Sequence, residues 1–280
     1  MSIRVVDYRG PNAAAEFTES LHETGFGVLV NHPIAQPLVQ SIFDEWMTFF
    51  KGEDKFNFAY DTEKFDGYFS TEVSETAKGE TVKDFKEFFH VYPWGRIPES
   101  LRANAMSYYA QASTLAAELL SWVEQYTPDE ISQYYSQPLS TMIEGSAQTL
   151  LRVLHYPPLN GTEPAGSVRA AAHGDINLLT VLPAANEPGL QVLAKDGSWL
   201  DVPCDFGMLI VNIGDMLQEV SRGYFPSTIH RVINPANASK NVSRLSLPLF
   251  LHPKEDVRLS ERHTAHSYLS ERLKELGMKK

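Results

Sequence analysis

From Thr149 to Leu251 the sequence is cut into short apolar runs separated by Gly, Pro, Asn and Asp. Runs of about four to eight residues bounded by turn formers are too short for helices and fit strands. Strands are expected near 149–156, 168–173, 177–182, 190–193, 199–202, 208–213, 228–233 and 244–251. Asp196-Gly197, between the fourth and fifth, is a strong hairpin turn. Strands at this spacing close into a barrel or sandwich.

The first half is patterned differently. Residues 13–24 fit an amphipathic helix stopped by Gly25, and 26–30 alternate as a strand. A second helix is expected from Pro37 to Phe50, since proline suits a first helical turn. Residues 54–94 mix Phe and Tyr with charges, Gly67, Gly79 and Pro93, and read as short strands and ordered loop. Leu101, Met106, Tyr109, Leu115, Leu119, Leu120 and Val123 give a long core-facing helix over 99–126. Thr127 is expected to cap a shorter helix with Pro128 at its first position. A charged helix over 265–277 closes the chain, with Lys279-Lys280 as a tail. The expectation is α+β in one domain spanning 1–280: a helix-rich region to about 140, a β core over 148–252, then the last helix.

At 280 residues and 43% hydrophobic, the chain has ample material for a core. A net charge of −11 opposes polyanionic partners, because nucleic-acid binders need a basic face to displace counterions. Nucleic acids and membranes are therefore not expected as partners, and no stretch is apolar enough to span a bilayer. Cys204 is the lone cysteine, so neither an internal disulfide nor a thiolate cage for a metal is available. It sits before an apolar strand with no paired histidine, as a core or loop residue does. The first ten residues do not read as a secretory signal, and a cytoplasmic setting is expected. In that setting the Asn-x-Ser/Thr triplets at Asn160, Asn237 and Asn241 are chance occurrences. Oligomeric state is not encoded in any pattern here.

A transition metal in this chain must use His and carboxylate. His173-Gly174-Asp175 ends an apolar strand, where positions two apart face one side and the glycine between them lets the backbone approach an ion. His230, on the β-branched stretch Thr228-Ile229-His230-Arg231-Val232, offers a third ligand from across the barrel. Two His and one carboxylate on one face of an ion leave the opposite positions open, as oxygen-activating ferrous sites require. A bare His-x-Asp arises by chance about 0.4 times in such a chain, so the motif alone is weak. Arg244-Leu245-Ser246 strengthens it: an inward guanidinium is costly unless an anion meets its fork, and a dicarboxylate such as 2-oxoglutarate supplies one.

These residues, with Gly25-Phe26-Gly27-Val28, Asp84-Phe85-Lys86-Glu87-Phe88-Phe89-His90, Arg152-Val153-Leu154-His155-Tyr156-Pro157-Pro158, Pro188-Gly189-Leu190-Gln191 and Asn212-Ile213-Gly214-Asp215, resemble the isopenicillin N synthase-like family of iron(II)/2-oxoglutarate-dependent dioxygenases. The resemblance runs along nearly the whole chain. It implies a double-stranded β-helix (jelly-roll) core with flanking N-terminal helices and a long supporting helix. It implies Fe(II) on His173, Asp175 and His230, and 2-oxoglutarate on Arg244, Ser246 and Tyr156, with O2 as co-substrate and ascorbate as a reductant.

The implied reaction is hydroxylation, desaturation or cyclisation of a small molecule with release of succinate and CO2. Asp175 argues against the related halogenases, where a missing acid makes room for halide. Two other readings compete: an iron oxidase of the same fold that uses no keto acid, and a jelly-roll binding protein without turnover. Leu154 departs from the family pattern, standing where many members have Asn. The separation between His230 and Arg244 is also longer than usual, with residues 234–241 reading as an extended hairpin loop.

Overall fold

The structure, a computed structural model, describes residues 2–73, 84–159, 168–184, 188–234 and 241–275. Two sheets dominate it. The larger runs in the order β1 (Val5–Asp7), β2 (Phe26–Val30), β10 (Leu209–Ile213), β7 (Leu179–Pro183), β13 (Leu249–Leu251), β5 (Leu150–Tyr156), β4 (Glu87–Val91) and β3 (Gly67–Phe69), and β12 (Arg244–Ser246) pairs with the far end of β5. The smaller runs β6 (Ala170–His173), β11 (His230–Val232), β8 (Leu190–Leu193) and β9 (Trp199–Asp201).

Phe26, Val28 and Ile210 of the larger sheet meet Ala170, Leu190, Val192 and Val232 of the smaller one in a shared apolar layer. Facing sheets with alternating inward residues make the jelly-roll core that the resemblance implies.

The helices cover the outer face of the larger sheet. α3 (Glu99–Gln125) buries Leu101, Ala105, Tyr108, Ala112, Leu115, Leu119 and Val123, steps of three and four that form one stripe. That stripe joins Trp46, Phe49 and Phe50 of α2 (Gln36–Lys51), Phe17 and Leu21 of α1 (Ala13–Thr24), and Leu151, Val153, Val181 and Leu249 of the sheet in one core. Burying each such Leu or Phe is worth about 1.5–3 kcal/mol, which makes α3 the girder against which the sheet is held.

Gly25 ends α1 in the left-handed region at φ 73°, its N–H bonded to the Leu21 carbonyl at 2.8 Å. A Cβ there would also run into Thr228 and the Pro226 carbonyl, on the segment that delivers β11.

Several expectations needed adjustment. The single strand expected over 244–251 is two: Pro248 carries no N–H for the ladder, and β12 and β13 pair with opposite ends of β5. Thr127 does not cap the short α4 (Asp129–Ser132); its hydroxyl donates back to the Val123 carbonyl at 2.6 Å, and Pro128 is the residue before the helix. The short β1 and α6 (Asp215–Val220) were not expected from the pattern. Within 54–94 lie a 3-10 turn at Asp54–Phe58 and the strands β3 and β4. Asn160, Asn237, Lys279, Lys280 and most of the loop read over 234–241 lie outside the described residues. Asn241 is engaged, its amide bonded to the backbone of Leu159. No helix among the described residues is long and apolar enough to cross a membrane.

Candidate active site

β6 and β11 are antiparallel neighbours, and their register sets His173 directly against His230. Asp175, just past β6, completes the group: one donor atom from each of the three residues lies within 4.8 Å of the others. The Nε2 atoms of His173 and His230 stand 3.9 and 3.7 Å from Asp175 Oδ1, too far for hydrogen bonds. Donors about 2.1 Å from a common ion sit roughly 3 to 4 Å apart, so the spacing fits a shared metal.

The protons are arranged for the same purpose. Nδ1 of His173 lies 2.7 Å from the Ala171 carbonyl, and Nδ1 of His230 lies 3.1 Å from that of Thr228. A carbonyl only accepts, so each Nδ1 carries the proton and each Nε2 keeps a lone pair toward the centre. Asp175 is fixed through its other oxygen: Oδ2 accepts from the Thr180 hydroxyl at 2.5 Å and from Asn212 Nδ2 at 2.8 Å. Thr180 in turn accepts from Asn177 Nδ2 at 3.0 Å, which aims its hydroxyl proton at the carboxylate.

Burial opposes ionisation of Asp175, but the nearby His230 and His173 and the two hydrogen bonds outweigh it, and the carboxyl is held below its usual range. His173 keeps 39% of its side chain accessible, yet burial by the surrounding protein, then His230, lowers it to about 4. The set is therefore two imidazoles that each turn Nε2 inward and one carboxylate, the donor chemistry of a ferrous site.

Gly174 earns its place through space. A Cβ would lie 3.2 Å from Ser227 Oγ, tighter than most Cβ contacts, so that side chain would have to give way, and 3.4 Å from Asp215 Oδ1. Phe26 places its ring edge-on to His230 with centroids 5.5 Å apart, closing the apolar end of the barrel over the triad.

Strand register decides what else faces the cavity. Across β5, β4, β3 and β12, paired residues share a face. Phe88 lies opposite both Leu154 and Phe69, Leu154 opposite Ser246, and Tyr156 opposite Arg244. Arg244, Ser246 and Tyr156 are all buried, and the guanidinium lies 5.6 Å from the Tyr156 ring centroid. The three residues expected to hold the co-substrate are thus brought together. Leu154 packs with Phe69, Phe88 and Tyr156, so hydrocarbon stands where the family pattern has an amide.

Other singled-out residues fall elsewhere. His155 is on the opposite face of β5, its Nδ1 2.7 Å from Glu87 Oε1 and its Nε2 3.2 Å from Ser243 Oγ. Glu87 also accepts from Tyr68 and from Lys55 Nζ, completing a buried network behind the sheet. His32 bonds the Gly207 carbonyl at 3.1 Å. Cys204 is half-buried beside the layer between the sheets, and burial pushes its thiol up, so it is not poised as a nucleophile. A groove of about 500 Å³ lined by Pro93, Trp94, Tyr109, Ile143 and Leu251 opens on the helical side of the larger sheet and brings no pair of titratable groups together.

Sequence reasoning passed over Thr180 and Asn212. Their signal was there: each is a polar residue on a strand whose neighbours are buried and apolar. It also passed over the ion pair of Lys86 Nζ with Asp84 Oδ2 at 2.7 Å, buried near His173, where Asp84 Oδ1 accepts the Ala171 N–H at 3.0 Å.

Comparison with known proteins agrees with this geometry. Residues 147–253 match the 2OG-Fe(II) oxygenase superfamily, and residues 3–112 match the N-terminal region described as non-haem dioxygenase in morphine synthesis. A solved structure from Shewanella oneidensis described as an oxygenase is 61% identical, with 99% of each chain covered and a TM-score of 0.90. A 2OG-Fe(II) oxygenase family protein from Caulobacter crescentus is 30% identical over 98% of this chain and 99% of its own, with a TM-score of 0.81. Flavanone 3-dioxygenase 2 of Oryza sativa subsp. japonica is 29% identical over 92% of this chain and 75% of its own length. On this likeness, carried through both halves of the chain and the metal-ready triad, the protein belongs to the 2OG-Fe(II) oxygenase superfamily and is an iron(II)- and 2-oxoglutarate-dependent dioxygenase.

Proposed function

We propose that His173, Asp175 and His230 hold the Fe(II), and that Arg244 and Ser246, with Tyr156 beside them, receive the far carboxylate of 2-oxoglutarate. The observation that carries this assignment is the convergence of two Nε2 lone pairs and one carboxylate oxygen, each fixed from behind by a separate hydrogen bond. When bound there, iron supplies O2 activation coupled to conversion of 2-oxoglutarate to succinate and CO2.

The protein's own contribution is positional. Ala171 and Thr228 carbonyls hold the imidazole tautomers, and Thr180 and Asn212 keep Asp175 charged and aimed. Arg244 offers the bidentate fork that a carboxylate matches, on a strand that cannot shift without breaking its ladder with β5. Phe26 and the apolar layer behind it pack against His230 and shield that ligand from bulk water.

The primary substrate is a small molecule, oxidised by hydroxylation, desaturation or cyclisation. The helix-rich region and the barrel share one core, which supports their acting as a single domain. The acidic composition supports a role away from nucleic acids, and the lone Cys204 suits a reducing cytoplasm.

The test is product analysis with purified protein, Fe(II), ascorbate, O2 and 2-oxoglutarate. Succinate formed in proportion to the O2 consumed, with Arg244→Ala requiring more 2-oxoglutarate, is the expected result. Oxygen consumption that proceeds without the keto acid would instead mark an oxidase.

A further inference from the structure

The inner face of the barrel carries a second guanidinium, on the far side of Leu154 from Arg244. Arg152 pairs with His90 across β5 and β4, and the register places both on the face that bears Phe88, Leu154 and Tyr156. Phe250 shares its register position with Thr180, the residue that holds Asp175. Arg152 lies over the rings of Phe88 and Phe250, 4.7 and 5.5 Å from their centroids. Through Phe250 and Thr180 the Arg152 side chain is thus two contacts from Asp175 of the metal triad.

This guanidinium is oriented. Its Nε–H donates to His90 Nε2 at 2.9 Å, and His90 Nδ1–H donates to the Phe65 carbonyl at 2.8 Å. Phe65 presents that carbonyl from a left-handed backbone at φ 58°, a conformation costing an aromatic residue on the order of 1 kcal/mol. The loop is tied down on both sides. Phe65 N–H bonds the Asp61 carbonyl at 2.8 Å, and buried Asp66 takes the Arg96 side chain at 3.1 Å.

Beyond the guanidinium runs a flat aromatic stack: Tyr60 on Phe69 at 4.4 Å and 17°, and Phe69 on Phe88 at 4.6 Å and 16°. Phe69, Phe88 and His90 are buried, whereas Tyr60, Phe65, Arg152 and Phe250 are partly accessible.

We propose that this wall is the specificity site for the primary substrate, and that the substrate is a small molecule with a flat unsaturated ring and a carboxylate, the carboxylate received by Arg152 and the ring by the partly accessible rings of Tyr60, Phe65 and Phe250. A planar fork fixed at Nε matches a carboxylate in two parallel hydrogen bonds, and an incoming carboxylate competes for that edge with any group already on it. Accessible aromatic rings favour a flat partner over a globular one. The inference rests on the iron and 2-oxoglutarate assignment, because it places the substrate beside that triad.

The test uses full-length protein with Fe(II) and saturating 2-oxoglutarate under argon, so that Arg244 is engaged. Phenylacetate and its neutral isostere phenylacetamide are titrated by calorimetry and by the shift they cause in the visible charge-transfer band. Phenylacetate binding about tenfold or more tighter than the amide is expected, with that preference lost in Arg152→Gln and partly kept in Arg152→Lys. Should Arg152→Gln fail to fold, Arg152→Lys and the wild-type preference decide. Equal binding of acid and amide, a preference that survives Arg152→Gln, or a formed band with neither compound binding would overturn the proposal. Absence of the band in the wild type would overturn the metal assignment, and the proposal with it.

Discussion

Two walls flank His173, Asp175 and His230, and they are built by different means. On one side Arg244, Ser246 and Tyr156 take their positions from an unbroken ladder between β12 and β5. On the other, Arg152 is oriented through His90 by the carbonyl of Phe65, on a loop whose geometry is stored in a strained φ and an Arg96–Asp66 tie. A ladder allows little variation, since a one-residue slip turns every side chain to the wrong face. A loop is free to change shape without disturbing the sheet. The wall proposed to meet the co-substrate is therefore set by its ladder alone, whereas the wall proposed to meet the substrate depends on a loop as well as on the β4–β5 ladder.

Four substitutions sharpen that contrast. Asp175→Ala removes the only carboxylate of the triad and is expected to cut Fe(II) affinity by more than about 100-fold, as measured by competition with a chromogenic chelator, with the circular dichroism spectrum retained. Near-normal iron affinity would detach the site from its central carboxylate.

Glu87→Gln strikes the network behind both walls and should cost about 3 kcal/mol in urea denaturation at pH 7, because it breaks buried pairs with Lys55 and His155. Burial alone would raise the Glu87 pKa, but the bonds from His155, Tyr68 and Lys55 outweigh it, so the folded value lies below the ordinary 4.5. Stability from the ionised carboxylate is then complete above pH 4.5 and is lost as pH falls through the lower folded value. The gap between wild type and variant should narrow in acid; a gap of constant size across that range would show that the charge is not what stabilises.

Arg244→Ala should weaken 2-oxoglutarate by about 10- to 100-fold while leaving iron affinity intact, given the ~1.5–3 kcal/mol of a charge-assisted hydrogen bond. A matching loss of iron would mean that co-substrate binding at this wall is not separable from the metal triad. Smallest is Thr180→Val, which leaves Asp175 with Asn212 alone on Oδ2; a loss of about tenfold in iron affinity is expected, and no loss would make that hydroxyl incidental.

The contrast between the walls also explains what could be read from the residues alone. His173, His230, Arg244 and Ser246 sit at strand positions where period-two alternation dictates the face, and Asp175 follows just past the end of β6, so their convergence was legible once the strands were placed. The split of β12 from β13 was signalled by Pro248, yet the pairing of the two halves with opposite ends of β5 is a tertiary fact. Thr127 was a reasonable cap by residue type, but its hydroxyl found the Val123 carbonyl of the preceding helix first. The loop-dependent wall was hidden because nothing local in Asp61-Thr62-Glu63-Lys64-Phe65 says that Phe65 will turn left-handed and hand its carbonyl to a histidine on another strand. His90 and His155 looked alike in sequence; register sends one into the cavity and the other behind it.

The central claim is that His173, Asp175 and His230 hold one ferrous ion open to 2-oxoglutarate, and its most direct test is an anaerobic titration of the Fe(II)-loaded protein with the keto acid, followed by visible absorbance. A metal-to-ligand charge-transfer band that saturates at one 2-oxoglutarate per iron and one iron per chain, and that vanishes in Asp175→Ala, is the predicted result. Iron that binds without producing the band, or a band indifferent to Asp175, would contradict it.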